Sequence, residues 1–345
     1  MSTTLSPTRS GNRAALENRA QIHPERRDVH ITTVPELQTF VMLGNYNENI
    51  GCAVEYLNIS LPEGEGYPAQ AVRAVLRMIP NVKCLVLNLP FESPVSLLNG
   101  VTLLSLRTLS TNLPHRGLVA FLVTHHFLTA LMLGTCGRSA TCPLRGLRLE
   151  GLQSLQSPSS CFTGITAGPL VTATVNLTRL TSMSALAIHN ISSASSRLYS
   201  LAVDHFSNDY DILSRVAAAA PNLRKLKLNE KPTTERGEGR LRRPWNDIRG
   251  WHLTLLQMTH LEELHLRTSI SVATPTSKEL DVVTGWANGV GDRAIAHPSL
   301  YHIAIIQNAS GEHQLSHWFK KGPKGNQVWI LVSSALVQRN ETFTL

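Results

Sequence analysis

His313 and His317 stand four residues apart, the spacing that would set two metal ligands on one face of a helix. Gln314, Leu315 and Ser316 lie between them, so the glutamate base of a zinc protease is missing, and the pair reads as capping or solvated side chains. Asp204 and His205 beside Ser200 have the residue types of a hydrolytic triad. Side chains so close along a strand alternate between faces, however, and no nucleophile elbow surrounds the serine. Five cysteines, Cys52, Cys84, Cys136, Cys142 and Cys161, could supply thiolates. Their spacing matches no zinc motif, and reduced, mostly buried thiols are expected. Gly64-Glu65-Gly66 and Gly289-Val290-Gly291 are isolated pairs without the strand-to-helix context of a phosphate loop. His125-His126 ends a helical stretch, where a cation meets unsatisfied carbonyls favourably. No catalytic residue, metal ligand or cofactor is therefore assigned, and the chain is not expected to be an enzyme.

One stretch concentrates charge. Residues 224–243, from Arg224 to Arg243, hold eight basic and three acidic residues, a net +5 of the chain's +8. Part of it has strand character, and the portion near 231–243 reads as a charged loop insertion. Such a loop is either a solvated surface or an electrostatic contact for an acidic protein or a nucleic acid. No aromatic residues interleave with the basic ones, which argues against stacking on single-stranded nucleic acid.

The elements that position these residues follow from a six-residue pattern with apolar residues at its first, fourth and sixth places. It occurs at Val54-Leu57-Ile59, Val82-Leu85-Leu87, Leu106-Leu109-Thr111, Leu128-Leu131-Leu133 and Leu144-Leu147-Leu149. It recurs at Met183-Leu186-Ile188, Leu198-Leu201-Val203, Leu223-Leu226-Leu228, Leu261-Leu264-Leu266 and Leu300-Ile303-Ile305, with Leu170-Ala173-Val175 as a further candidate. The last two apolar places are two apart, the period of a strand with one buried face. Between hexads lie stretches of helical period. Residues 69–79 put Val72, Val75, Leu76 and Ile79 on one face and stop at Pro80-Asn81, and residues 211–220 put Ile212, Leu213 and Val216 together and stop at Pro221-Asn222. A unit of strand plus helix cannot bury its own apolar edge, and only stacking on a neighbour closes the core. The expected fold is thus α/β, an irregular leucine-rich-repeat solenoid with a curved, mainly parallel sheet and helices on the outer face.

A chain of 345 residues with 42% hydrophobic and 16% charged residues can bury a substantial core. No apolar run is long enough to span a bilayer and no apolar signal core opens the sequence, so a cytoplasmic or nuclear location without membrane contact is expected. Residues 1–28 are polar and aperiodic and read as a disordered tail, with the repeat region spanning 29–340. In the hexads, places three and five and the residue after place six point away from the core. They supply a candidate partner-binding surface: Tyr56, Asn58, Arg148, Glu150, Asp204, Lys225, Lys227, Glu263, His265, Arg267 and His302. Its mixed charge suits a protein surface better than a polyanion.

Several segments together resemble a family. His30-Ile31-Thr32 is followed by a helix-like 34–43, a strand at 54–59, and a helix ending Met78-Ile79-Pro80-Asn81 that runs into Val82-Lys83-Cys84-Leu85. Downstream come Phe121-Leu122-Val123-Thr124-His125, Ala219-Ala220-Pro221-Asn222-Leu223-Arg224-Lys225-Leu226, Leu261-Glu262-Glu263-Leu264 and His297-Pro298-Ser299-Leu300. Over about residues 28–335 this order resembles the leucine-rich region of F-box-like proteins of mushroom-forming fungi. The resemblance implies a non-enzymatic protein-binding module for substrate recognition, linked to ubiquitin-dependent turnover. The F-box that often precedes this region is not recognisable in residues 1–28, so binding to a ligase adaptor is not expected of this chain. The other functions left open are a structural or vestigial repeat protein without a ligase link, and a nucleic-acid binder acting through 224–243.

Overall fold

The first, fourth and sixth places of most hexads do the same work: Val54, Leu57 and Ile59 are buried, as are Leu223, Leu226 and Leu228, whereas Leu147 is only half-buried. A computed structural model of the protein describes residues 27–62, 66–90, 94–134, 136, 141–162, 165–167, 170–177, 188–189, 191, 197–231, 243–291, 295–309, 312–322 and 328–337. The tail 1–26, the loop residues 232–242 and hexad residues 183–187 lie outside them. The chain divides into two compact units, Met1–Thr111 and Asn112–Leu345.

In the first unit, β1 (Asp28–Ile31), α1 (Val34–Tyr46), α2 (Glu48–Cys52), β2 (Tyr56–Ser60), α3 (Ala69–Met78), β3 (Cys84–Asn88) and β4 (Thr108–Thr111) follow in order. The strands are parallel neighbours in chain order, with Leu57 opposite Leu85 and Leu85 opposite Leu109. Asp28, assigned to the tail from sequence, is instead the first residue of β1 and pairs with Tyr56. Thr33 and Glu36 close a capping box at the start of α1. The apolar stripe of α3 buries Val72, Val75 and Leu76. The helix stops at Pro80-Asn81, where the Asn81 amide donates to the Cys52 carbonyl at 2.8 Å and ties the turn to α2. At Gly51 a Cβ would collide with the Met78 carbonyl, so glycine permits this close approach of α2 to the end of α3.

In the second unit the sheet strands are β5 (Ala130–Leu133), β7 (Ser154–Pro158), β9 (Thr172–Asn176), β10 (Ser200–Phe206), β11 (Lys225–Lys231), β12 (Glu263–Arg267), β13 (His302–Ala309), β14 (Glu312–Lys321) and β15 (Val328–Val337). They are parallel through β13, and Leu131, Leu155, Ala173, Leu201, Leu226, Leu264 and Ile303 stand opposite one another in one register row. The strand order does not close into a barrel. The helices α4 (Val119–Thr124), α5 (Ser159–Phe162), α6 (Ile212–Ala219), α7 (Ile248–Leu255) and α8 (Glu279–Asn288) fill connections between strands. Parallel neighbours need such crossovers. Ile212, Leu213 and Val216 of α6 are buried, as their spacing requires. Among the described residues no helix is long and apolar enough to cross a membrane.

Two expectations are corrected. Leu144-Leu147-Leu149 does not join the main sheet: among the described residues β6 (Arg148–Leu149) pairs only with β8 (Thr166–Ala167). The place between β5 and β9 belongs to β7, whose Leu152-Leu155-Ser157 closes on serine and so escapes an apolar pattern. Second, His313 and His317 lie on β14, not on a helix, about 13 Å apart along the strand by its rise per residue. The sheet is mostly parallel, as expected, while β13, β14 and β15 pair antiparallel. Two residues between β13 and β14 leave no length for a crossover, so the chain must turn straight back.

Candidate functional site

Seven of the eleven candidate surface residues come together on β10–β13. Register sets them in rows: Lys225 opposite Glu263, which is opposite His302; Lys227 opposite His265; and Asn229, between Asp204 and Arg267. The other four do not join them. Tyr56 and Asn58 belong to β2 in the first unit, where Tyr56 lies against His30 and Asn58 accepts from Ser60. Arg148 and Glu150 are exposed but sit on and beside β6, off the main sheet.

The rows are knit by charge. Lys225 Nζ lies 2.9 Å from Glu263 Oε1, and Lys231 Nζ lies 3.2 Å from Asp204 Oδ2. Burial would raise the Glu263 carboxyl, but its hydrogen bond and charge contact with Lys225 outweigh this and hold it below the usual range. Lys227 points away from the core as its place in the hexad requires, yet it is only 9% exposed. Burial, then the charge of Arg267, lowers its pKa.

Sequence reasoning missed the row at place two of the hexads. Tyr199, Arg224, Glu262 and Tyr301 each follow the first apolar residue, and this shared position was the available signal. Arg224 pairs with Glu262 at 2.9 Å, the Tyr301 hydroxyl donates to Glu263 at 3.2 Å, and both Arg224 and Lys225 lie 5.9 Å from the Tyr199 ring centroid. Tyr199 and Tyr301 remain 38% and 43% exposed, so the patch is aromatic, charged and open to solvent. The first unit carries a shorter version, Arg27–Glu55–Lys83. Exposed pairs of this kind contribute little to stability.

Beside the charge pairs lies a histidine group. His265 Nε2 is 3.6 Å from Glu263 Oε2, and His302 Nε2 is 3.0 Å from His317 Nδ1, with those two rings stacked. Glu263, His265 and His302 are close enough to share a cation, but Glu263 is already engaged by Lys225 and Tyr301, and His302 by His317. Burial lowers the His265 pKa to about 4, helped by His302, Lys227 and His317 against the opposing pull of Glu263. Burial and His317 lower His302 as well. Between about pH 6.5 and about pH 4 the unfolded chain therefore holds a proton at residue 265 that the folded chain refuses, so stability falls as pH falls through that window. The denaturant midpoint should drop from about pH 7 to about pH 4, and less steeply in His265→Gln. Identical slopes would remove His265 from the cause.

A second group of possible metal ligands, His115, Cys136, Cys142 and Cys161, lies elsewhere in this unit. A hydrogen bond with Cys161, aided by His115, draws the Cys142 thiol down to about 4. Burial and Cys142 push Cys136 up to about 11, and the bond to Cys142 pushes Cys161 up. The sequence reading assigned no metal ligand at any of these residues. No family model and no curated protein matches this chain.

Proposed function

We propose that the chain is an irregular leucine-rich-repeat solenoid acting as a non-enzymatic binding module, which takes a protein partner on the polar face of β10–β13. The supporting observation is the aligned patch of Tyr199, Arg224, Lys225, Glu262, Glu263 and Tyr301. Exposed tyrosines beside mixed charge suit the composition of protein interfaces. Arg224 and Lys225 are already paired with glutamates at 2.9 Å, which suits a protein better than a polyanion in need of unpaired cations. The resemblance to fungal F-box-like proteins supports substrate recognition within ubiquitin-dependent turnover as the context.

The test compares affinity capture by the intact chain, by Tyr199→Ala/Tyr301→Ala, and by Leu253→Ala, an exposed apolar residue on α7. A set of proteins should be lost from the tyrosine variant alone while its circular dichroism stays unchanged, and proteins turned over through ubiquitin should be among them. Equal capture by all three would overturn the reading. Capture that nuclease abolishes would overturn it in favour of nucleic acid.

A further inference from the structure

We propose that His115, Cys136, Cys142 and Cys161 bind one zinc ion as a closed structural centre. Each residue offers one ligand atom, and all four atoms lie within 4.8 Å of one another. A tetrahedral zinc with sulfur at about 2.3 Å and nitrogen at about 2.0 Å needs ligand atoms roughly 3.5–3.8 Å apart. His115 Nδ1 and Cys142 Sγ, 3.4 Å apart, already span such an edge. The remaining atoms need shift by no more than about 1 Å, within the reach of a side-chain torsion.

The ligands come from separate segments of the unit. His115 opens the 3-10 turn His115–Gly117 just before α4, Cys136 follows β5, Cys142 precedes the off-sheet strand β6, and Cys161 sits in α5 directly after β7. Because β5 and β7 are paired neighbours, their ends carry Cys136 and Cys161 to the same place. Sequence spacing could not reveal this, since 20, 5 and 18 residues separate the four ligands in turn. Convergence of three of the chain's five cysteines with a histidine is the first observation.

The second is the histidine itself. His115 is fully buried, and among the described residues its Nε2 meets no hydrogen-bond partner. Thiols are weak partners for the other ring nitrogen, so without a metal the imidazole is buried at a cost. A ring coordinated to zinc through Nδ1 has a strong bond in place of that weak one, which accounts for the Cys142 contact and not for the bare Nε2. Three sulfurs and one imidazole are a soft donor set that selects zinc over magnesium or calcium. Four protein ligands leave no open position for substrate, so the centre is structural and not catalytic. Binding replaces thiol protons by the ion and releases them to solvent, with no electron transfer.

The location gives the centre a purpose. Between β5 and β7 the leucine pattern fails: Leu147 is only half-buried and its hexad leaves the sheet. A zinc ion would hold this irregular connection against the regular strands on either side.

The experiment uses the full chain, expressed with added zinc and purified under reducing conditions. Elemental analysis should find about one zinc per chain, released when a mercurial blocks the thiols. Replacement by cobalt should give thiolate-to-metal charge transfer and the intense visible bands of tetrahedral coordination. Cys142→Ser and His115→Gln should lose the metal, whereas Cys52→Ser and Cys84→Ser should keep it. Should Cys142→Ser fail to fold, the wild-type chain decides the matter: a chelator should lower its melting temperature and added zinc restore it. Absence of stoichiometric zinc together with no cobalt spectrum would overturn the proposal. So would full zinc retention in Cys142→Ser, or a disulfide joining two of the three cysteines in the purified chain.

Discussion

Leu226→Ala will destabilise the Asn112–Leu345 unit by about 2–5 kcal/mol. Leu226 is 1% exposed and stands in register between Leu201 and Leu264, so its removal opens a cavity bordered by two neighbouring strands. The lost transfer energy and the cavity add, because strands held by hydrogen bonds on both sides cannot collapse inward. Lys227→Ala, one residue on and facing the other way, should cost about 1 kcal/mol or less, since burial already disfavours its charge. All five tryptophans lie in this unit, so a denaturant titration followed by tryptophan fluorescence reads it without interference from the other. Equal losses from the two substitutions would mean that the strand faces are misassigned.

Arg243→Met should cost about 3–5 kcal/mol for a different reason. The next core position after Leu228 on β11 is Glu230, a carboxylate with a fully buried side chain. Its Oε1 lies 2.9 Å from Arg243 Nε, and its Oε2 accepts from the Thr268 hydroxyl and from the backbone and hydroxyl of Ser269. Arg243 is itself fully buried, and among the described residues its two terminal nitrogens meet no acceptor. Each charge is tolerable only beside the other. Removing the guanidinium leaves a carboxylate in the core with neutral donors alone. Glu230→Gln/Arg243→Met should regain most of the loss, because the amide keeps an oxygen for Thr268 and Ser269 without the charge. A double variant as unstable as Arg243→Met would show that the cost is packing and not charge.

The alternation of strand and helix was legible in the sequence because it is local. A period of two at Leu226 and Leu228, and helix stops at Pro80-Asn81 and Pro221-Asn222, depend on residues a few positions apart. The same period told which side of β11, β12 and β13 faces away from the core, and so brought Lys225, Glu263, His265 and His302 into view. Neighbourhood was not local. Whether β6 or β7 lies beside β5 turned on Leu152 and Leu155 packing well enough to carry a closing Ser157, which no apolar pattern reports. That β14 would be a strand was hidden by two histidines at a helical spacing, and its partner was set by the short connection to β13. The exposure of Lys227, the buried pairing of Glu230 with Arg243, and the meeting of His115 with three cysteines all join residues distant in the chain. Sequence determines which side chains each strand and connection can offer; only the packing of one strand beside the next decides which of them meet, because their contacts are made across the sheet and not along the chain.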